Sequence, residues 1–380
     1  MSQAKKLVRR KGGAAGRGLR APFYVLGIET SCDETSCAVI ENGAKILSNV
    51  VSSSLFRHRK FGGVVPEIAS RHSMEQIRCV FDEALAEAKI RAPDLDLIAV
   101  TQGPGLIGSL FVGVSFAKAL AYELGIPLVG VNHMEAHLAA NFFDRPAPEK
   151  FIGLLVSGGH TTITYCEKGK IRVLGETIDD AVGEAYDKVA KILDLGYPGG
   201  PVIDRLAREG NPRAVQFTCP RLGQFSGKSS PSFEGGSREA HDTHRFDFSF
   251  SGIKTAVLYL VKDPKTGQPK PDAPSSADIA ASFQRAVIDW LVTKTLDAAG
   301  FKGVSDIVVG GGVSANSHLR NKLTREARAK GVEVWFPPFP LSTDNGAMIA
   351  RRGFGLFQQG RRSSFRMTGE PSLAMAAGGR

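Results

Sequence analysis

The sequence predicts an α/β protein whose two lobes repeat one order of elements. Its 380 residues are enough for two domains. Short apolar runs rich in Val, Ile and Leu alternate with segments of helical periodicity. A strand–turn–strand pattern opens near residue 23 and again near residue 151, and further strands and helices follow it in both places. These observations predict two sheets, each covered by helices.

The first lobe begins with two apolar runs separated by the polar stretch 29–35. Asn42 and Gly43 form a typical hairpin turn that leads to a third strand. A helix follows, because apolar residues recur at steps of three and four at Met74, Ile77, Phe81, Leu85 and Ala88. Strands are predicted at 23–28, 36–40, 46–51, 97–101 and 128–131, with a glycine-rich turn at 103–109 before the second helix.

The second lobe is predicted to repeat this order from residue 151. Its strands are predicted at 151–156, 161–166, 171–174, 306–309 and 332–335, with helices from about residue 314 and from residue 344. This order is typical of a ribonuclease-H-like half domain, although the halves share no strong sequence identity. Two such lobes, each opening with a β-turn-β unit that can hold phosphate, indicate a nucleotide cleft between them.

Composition narrows the class of protein. Hydrophobic residues make up 42% of the chain and charged residues 23%, as in ordinary globular proteins. No apolar run predicts a membrane span or a secretory signal. The five scattered cysteines are typical of reduced thiols, so we expect a cytoplasmic protein.

The net charge of +10 is concentrated at the two ends of the chain. Residues 1–20 carry +7 and residues 351–380 carry +5, which leaves −2 for the remainder. Basic ends can attract phosphate backbones. We nevertheless expect solvated, disordered tails, with a mitochondrial transit peptide as an alternative for residues 1–20.

His133 and His137 are four residues apart, which on a helix places both imidazoles on one face, within reach of one metal ion. Asp344, before another predicted helix, could supply a third ligand. Two histidines and a carboxylate would leave positions open for a substrate. The alternatives are two surface histidines and an aspartate that only caps its helix.

Glycine-rich turns suggest what those open positions face. Ser157, Gly158, Gly159 and His160 lie between two predicted strands, where free N–H groups can bind phosphate. Residues 309–316 form a strand, a triple glycine and a helix start, which can place a helix N-terminus beside an anion, with Asn316 near the ligand. The alternatives are an ordinary hairpin and a helix capped by Ser314.

Two predicted helices add carboxylates. Asp187 and Asp204 could hold ribose hydroxyls, and a turn at 197–201 opens the second of these helices. The alternative is that both are solvated helix charges.

These motifs together resemble the bacterial form of the tRNA N6-adenosine threonylcarbamoyltransferase family (TsaD/Gcp type), in the expected order from about residue 23 to about residue 357. The motifs are residues 27–35, 132–137, 155–161, 183–188, 197–201, 248–255, the triple-glycine turn to Asn316, and 342–346. The resemblance implies two ribonuclease-H-like lobes of the actin/Hsp70/sugar-kinase fold. It also implies transfer of a threonylcarbamoyl group from threonylcarbamoyl-AMP to N6 of the adenosine 3′ of the anticodon, in tRNAs that read ANN codons.

The resemblance also assigns residues. His133, His137 and Asp344 would bind a divalent metal, usually Fe²⁺ with Zn²⁺ as an alternative. The adenylate would contact Leu155, Val156, Ser157, Gly158, Gly159, Asp187, Gly200, Asp204 and Asn316. Asp33 and Glu34, on the first turn, are predicted to orient the amine or accept its proton. Implied partners are tRNA, a catalytically silent paralogue (TsaB-like) and a small ATPase (TsaE-like), with no membrane.

Three other functions fit the residues less well. A zinc protease needs Glu directly after the first His, but Met134 is there, and Glu135 would face away from the metal. A sugar kinase would have Asp where this chain has Glu29. A non-catalytic nucleotide-binding scaffold of the same complex would lack the metal ligands, all of which are present.

The domain boundaries follow from these predictions. Residues 1–22 are a basic disordered tail, 23–131 the first lobe, 132–345 the second lobe with a surface insertion at 221–245, and 359–380 a basic tail. The last helix, 346–358, is predicted to pack back on the first lobe.

Overall fold

The computed structural model describes residues 22–218 and 244–375. The predicted tail 1–22 and the predicted insertion 221–245 therefore lie outside the described residues, apart from Pro22, His244 and Arg245. The described residues form two five-stranded sheets with helices on their faces.

The strands of the first sheet are β1 (Tyr24–Glu29), β2 (Glu34–Glu41), β3 (Lys45–Ser53), β4 (Leu97–Gly103) and β5 (Leu128–Asn132). Their order across the sheet is β3-β2-β1-β4-β5, with the first three antiparallel and β1, β4 and β5 parallel. The strands of the second sheet are β6 (Lys150–Val156), β7 (Thr161–Glu167), β8 (Lys170–Glu176), β9 (Asp306–Gly310) and β10 (Glu333–Trp335). Their order, β10-β9-β6-β7-β8, is the same topology, so the predicted repeat is confirmed.

The helices are α1 (Leu55–His58), α2 (Pro66–Ala88), α3 (Ile107–Leu124), α4 (His133–Ala139), α5 (Val182–Ile192), α6 (Gly199–Leu206), α7 (Ser251–Val261), α8 (Ser276–Lys302), α9 (Ser317–Arg328) and α10 (Gly346–Gln358). Several ends follow local rules. Pro66 is at the first position of α2, where its missing N–H costs nothing. The Ser275 hydroxyl caps α8, and Gly303, with φ of 61°, ends it.

Strand β1, at the centre of the first sheet, is buried on both faces. Leu26 and Ile28 of β1 pack in the core formed with α2 and α3, whereas Val25 packs in the core formed with α10. Gly27 lets α10 approach closely, since a Cβ there would lie 2.0 Å from the carbonyl oxygen of Gly346. The last helix of the chain thus returns from the second sheet to the first.

Helix α3 is long and apolar enough to cross a membrane by length and composition, although the sequence was expected to contain no such segment. In the structure, α3 packs against β4 and α2. The apolar residues on one side of α3 are used in this packing, whereas Phe111 on another side is exposed.

The C-terminal segment (361–375) is not a solvated tail, and that expectation is wrong as far as Met375. The Ser363 N–H donates to the carbonyl of Leu128 (2.7 Å), and the Glu370 N–H donates to the carbonyl of Gln102 (2.8 Å). Met367 is buried in the core under α3. The physical reason is that β5 is an edge strand, whose unpaired backbone groups the segment covers.

Candidate active site

Three metal-ligating side chains converge between the two sheets. Helix α4 starts directly after β5, so His133 and His137 lie one turn apart, and both are buried. Asp344 comes from the loop before α10. The two Nε2 atoms are 3.2 Å apart, and Oδ1 of Asp344 lies 3.5 Å from that of His133 and 3.1 Å from that of His137. All three ligand atoms lie within 4.8 Å of one another, so the group could hold one metal ion.

The donor set fits a divalent transition metal. Two ligands bound at about 2.0–2.1 Å to one tetrahedral ion lie roughly 3.3 Å apart, close to the spacing of the two Nε2 atoms. Imidazole with carboxylate is a ligand set that both iron(II) and zinc accept.

The electrostatics of the group also favour a cation. Burial opposes charge on His133, but the carboxylates of Asp344 and Glu29 raise the pKa of His133 to about 9. Burial alone would raise the pKa of Asp344, yet the adjacent His133 and His137 lower it. A place that stabilises an imidazolium between carboxylates also stabilises a metal ion.

Glu29 ends β1 and is a buried carboxylate that we did not place at the site from the sequence. Its Oε2 lies 3.0 Å from Nδ1 of His133 and accepts a hydrogen bond of 2.6 Å from the Thr101 hydroxyl. A carboxylate at Nδ1 keeps the proton there and leaves Nε2 free for a metal. The available signal was an acidic residue closing an apolar strand. By contrast, Nδ1 of His137 has no hydrogen-bond partner among the described residues.

The structure decides against two alternatives. Asn345, not Asp344, caps α10, because its Oδ1 accepts the N–H of Met348 at 3.0 Å. Glu135 faces away from the histidine pair, as predicted, and its Oε2 accepts from Nε of Arg352 at 2.9 Å. The arrangement of a zinc protease is therefore absent from this helix.

The first turn (30–33) joins β1 to β2 and lies beside the group. Asp33 ends it and Glu34 opens β2. Oε1 of Glu34 accepts from the Ser53 hydroxyl at 3.2 Å. Burial, followed by the charges of Asp33 and Asp344, raises the pKa of Glu34 well above its usual value. Both carboxylates predicted on this turn are thus close to the histidine–aspartate group.

The second turn (157–160) joins β6 to β7 in the equivalent place. Its ends are tied together, because the Ser157 N–H donates to the carbonyl of His160 (2.9 Å) and the His160 N–H donates to the Ser157 hydroxyl (3.1 Å). The N–H groups of Gly158 and Gly159 donate to no acceptor among the described residues, and a Cβ on either would meet nothing within 4 Å. Burial and then the charges of His133 and His137 lower the pKa of His160 to about 4.

Leu155 and Val156 precede this turn in β6, and both side chains are fully buried. Neither residue is therefore exposed, and both act by supporting the turn that follows. Gly311, in the triple-glycine turn, has φ of +90°, and a Cβ there would lie 2.4 Å from the carbonyl oxygen of Val156. The two glycine-rich turns thus pack directly against each other.

The remaining predicted residues lie farther along the second lobe. Asp187 accepts the N–H of Gly199 at 2.7 Å, and burial raises its pKa to about 6. Asp204 accepts from the Ser317 hydroxyl at 3.0 Å. Gly200 has open space beside it. Within the described chain, no hydrogen bond or ion pair links these residues to the histidine–aspartate group.

Asn316, rather than Ser314, caps α9. Its Oδ1 accepts the N–H of Leu319 (2.9 Å), and its Nδ2 donates to Oε1 of Gln284 (2.8 Å). The helix begins at Ser317, after a short 3₁₀ turn, and both polar ends of the amide have partners inside the protein. Beside it is a cavity of about 420 Å³ lined by Ala207, Arg208, Gln284, Ser317, His318 and Asn321.

Comparisons with known proteins agree on one family. The family described as TsaD, tRNA N6-adenosine threonylcarbamoyltransferase, matches residues 45–351. A curated relative of that name from Clostridium botulinum (strain 657 / Type Ba4) is 49% identical over 94% of this chain and 99% of its own length. Another, from Thermosipho melanesiensis, is 50% identical over 88% of this chain and 95% of its own length.

Solved structures support the fold. T. kodakarensis HypF is similar over 89% of this chain and 48% of its own, with a TM-score of 0.56 and 17% identity. Full-length HypF in the phosphate- and nucleotide-bound form is similar over 88% of this chain and 55% of its own, with a TM-score of 0.52 and 13% identity. The predicted fold class is confirmed, and the scaffold alternative is not favoured, because the relatives are named as transferases. The chain therefore belongs to the tRNA N6-adenosine threonylcarbamoyltransferase family, with the actin/Hsp70/sugar-kinase fold, and is a transferase that places the threonylcarbamoyl group on N6 of adenosine in tRNA.

Proposed function

We propose that His133, His137 and Asp344 hold one divalent metal ion and that the transfer reaction takes place between the first and second turns. The observation that carries this proposal is the convergence of the three ligand atoms within 4.8 Å. Glu34 on the first turn and His160 on the second are both close enough to the group for its charges to shift their pKa values.

The donor in this proposal is threonylcarbamoyl-AMP, bound by the second lobe. The N–H groups of Gly158 and Gly159 bind its phosphate, with Ser157 fixing the turn and the backbone of Leu155 and Val156 behind it. Asp187 and Asp204 accept from ribose hydroxyls near Gly200. Asn316 contributes by holding Gln284, a residue that lines the neighbouring cavity, because its own amide is occupied by hydrogen bonds inside the protein.

The reaction forms a bond between N6 of adenosine and the carbamoyl carbon and breaks the bond from that carbon to the phosphate oxygen. AMP leaves with the electron pair, and N6 loses a proton. A divalent metal, when bound, supplies Lewis acidity that polarises the carbamoyl or phosphate oxygens. The target is the adenosine 3′ of the anticodon in tRNAs that read ANN codons.

Glu34 accepts the proton from N6, and Asp33 assists it. A base works best when its pKa is close to the working pH, and burial raises the pKa of Glu34 from the ordinary carboxyl range. The raised pKa makes the Glu34 carboxylate a stronger acceptor for the N6 proton. Asp33 hydrogen-bonds to Glu34 and stays beside it as the charge changes.

The metal is Fe²⁺ in this proposal, with Zn²⁺ as the alternative. Two neutral imidazoles and one carboxylate, with positions left open, suit iron(II), and a tetrahedral zinc site uses the same ligands.

The partners are a catalytically silent paralogue (TsaB-like) and a small ATPase (TsaE-like), and the complex is cytoplasmic. An exposed apolar surface on α2 and α3 supports the proposal that the silent paralogue binds there. Met74 on α2 is 67% exposed, and Ile107 and Phe111 on α3 are 57% and 68% exposed. Such side chains on two adjacent helices are typical of a protein interface.

The test is transfer of radiolabelled threonine into tRNA that lacks the modification, with ATP, bicarbonate, the synthase that makes the adenylate, and both partners. Wild type is compared with His133→Ala and with Met134→Leu, a control on the same helix, and the metal content of each protein is measured. We expect label and metal in wild type and Met134→Leu and neither in His133→Ala. Full labelling by metal-free His133→Ala would remove the metal from the proposal.

A further inference from the structure

Residues 55–61 form an exposed surface that the active site does not use. This aromatic–basic segment comprises α1 and a 3₁₀ turn, with the sequence Leu-Phe-Arg-His-Arg-Lys-Phe. Phe56 is 64% exposed and Phe61 48% exposed. Each ring has a cation beside it: the guanidinium of Arg57 lies 5.7 Å from the centre of the Phe56 ring, and Nζ of Lys60 lies 4.9 Å from the centre of the Phe61 ring.

Two positive charges of the segment have no ion-pair partner among the described residues. Arg57 pairs with Glu75 at 3.0 Å, but neither Arg59 nor Lys60 has a carboxylate within ion-pair distance in the parts of the chain that the structure describes. Both side chains are exposed. The segment therefore presents aromatic faces together with free positive charge, the combination that binds single-stranded nucleic acid.

A buried histidine holds the segment in place. His58 is fully buried; its Nε2 lies 2.9 Å from the Ser54 hydroxyl, and its Nδ1 accepts the N–H of Val65 at 3.3 Å. The hydroxyl of Ser54 in turn donates to the carbonyl of Asp33 at 2.9 Å. The segment is thus fixed to the first turn, so its aromatic rings stand at a set position relative to Asp33.

The segment also reaches the second lobe. Gly62, which ends the 3₁₀ turn with φ of 68°, faces α5, and Nζ of Lys191 lies 3.6 Å from where a Cβ on Gly62 would be. The residue that follows the segment thus lies next to the second lobe, and a further cation, Lys191, is close to it.

We propose that the aromatic–basic segment binds the anticodon loop of the tRNA substrate, with Phe56 and Phe61 stacking on unpaired bases and Arg59 and Lys60 contacting phosphates. The target adenine must bring N6 to the first turn, so its neighbouring nucleotides pass over the surface attached to that turn. RNA loops are recognised by stacking of splayed bases on aromatic side chains together with backbone contacts. The inference rests on the proposed site only for the direction from which the adenosine enters.

The test measures affinity for an unmodified tRNA transcript and for its isolated anticodon stem-loop, in the complete complex with both partners, across a salt series. The variants are Phe56→Ala/Phe61→Ala and Arg59→Glu/Lys60→Glu. The matched control is Phe301→Ala/Lys302→Glu. Phe301 is 52% exposed, and Nζ of Lys302 lies 5.0 Å from its ring centre, but the pair lies at the end of α8, beside the start of β6 rather than its end.

We expect the double Phe variant to bind both RNAs at least about 30-fold more weakly, because loss of each of the two stacked bases weakens binding at least about fivefold. The charge-reversal variant should reduce the slope of log affinity against log salt by about 1.4, for two lost phosphate contacts at ~0.7 each. The control should match wild type.

The proposal would be overturned if both segment variants bound RNA with the affinity and the salt slope of the wild type. It would also be overturned if the control variant lost as much RNA affinity as the segment variants. Loss of the silent paralogue from the complex would assign the segment to protein binding instead and would also overturn it. Metal content and adenylate binding are measured on the same proteins, so failure of the proposed active site is recognised separately.

Discussion

The first and second turns occupy equivalent places in the repeated sheets, yet they differ in chemistry. The first turn, between β1 and β2, is bounded by Glu29 and Glu34, both carboxylates in buried surroundings. The second, between β6 and β7, contains Gly158 and Gly159, whose N–H groups are unpaired among the described residues and whose Cβ positions meet nothing within 4 Å. In the proposed function, one backbone topology serves as a proton acceptor at the first turn and as a phosphate-binding site at the second, and the residues placed on each turn decide which.

The largest expected effect comes from the carboxylate that joins the first turn to the histidine pair. Glu29→Gln should weaken metal affinity about 10- to 100-fold, the usual cost of losing a partner behind a metal-bound histidine. Thr101→Val, which removes only a donor to Glu29, should have a smaller effect. Affinity is measured by competition with a chelator. Unchanged metal affinity in Glu29→Gln would show that Glu29 does not support metal binding by His133.

The second prediction separates the binding role of the second turn from its packing role. Gly183→Ala should destabilise the fold by about 1–3 kcal/mol, because its Cβ would lie 2.7 Å from the carbonyl oxygen of Ser157. Gly158→Ala should change stability by less than about 0.5 kcal/mol, since it has open space. It should nevertheless lower adenylate affinity roughly tenfold by blocking close approach of the phosphate, a loss of about 1.4 kcal/mol.

Urea unfolding and adenylate titration measure these two effects. If Gly158→Ala bound the adenylate as tightly as wild type, the phosphate would have to lie elsewhere, and the contrast between the turns would be lost.

The smallest expected effect is the contribution of Glu34, next to the first turn, to the pH dependence of stability. The pKa of Glu34 is raised in the folded protein, so in the metal-free protein the folded state keeps a proton that the unfolded chain releases. The free energy of unfolding should therefore decrease as pH rises from about 4.5 toward the raised pKa. Within that window the decrease approaches about 1.4 kcal/mol per pH unit.

Glu34→Gln should reduce the slope of the free energy of unfolding against pH in this window and stabilise the protein at neutral pH. Ser157→Ala, on the second turn, should leave that slope unchanged. Thermal unfolding between about pH 4 and 8 in the presence of a chelator measures both. A wild-type slope in Glu34→Gln would mean that another group carries the titration.

The repeated order of strands could be predicted because period-two and period-3.6 patterns are local. So could the pairing of His133 with His137, since their spacing fixes their relative direction on a helix. Asp344 was predicted as the third ligand, but the alternative of a helix cap stayed open because Asp344 and Asn345 are both good capping residues. Only the path of the chain shows that Asn345 caps α10. Ser314 and Asn316 are likewise both good capping residues, and only the structure shows that Asn316 caps α9.

The local sequence pattern also could not predict which of these side chains are buried. Nothing local distinguishes Glu29, which is fully buried, from a carboxylate that ends a strand in solvent. Nor does composition show that the basic C-terminal segment lies along an edge strand, or that Phe56 and Phe61 are exposed while Phe81 is in the core. These differences arise from long-range packing, to which a single sequence window is insensitive.

The chain passes between the two sheets twice, once from β5 to β6 and once from β10 to α10. His133 opens the first passage and Asp344 lies at the end of the second, 3.5 Å apart at the nearest atoms. A cation bound by both residues would hold the two passages together. The affinity for the ion and the separation of the lobes would then be linked in both directions. Anything that brings the lobes together would strengthen ion binding, and loss of the ion would make it easier for the lobes to separate.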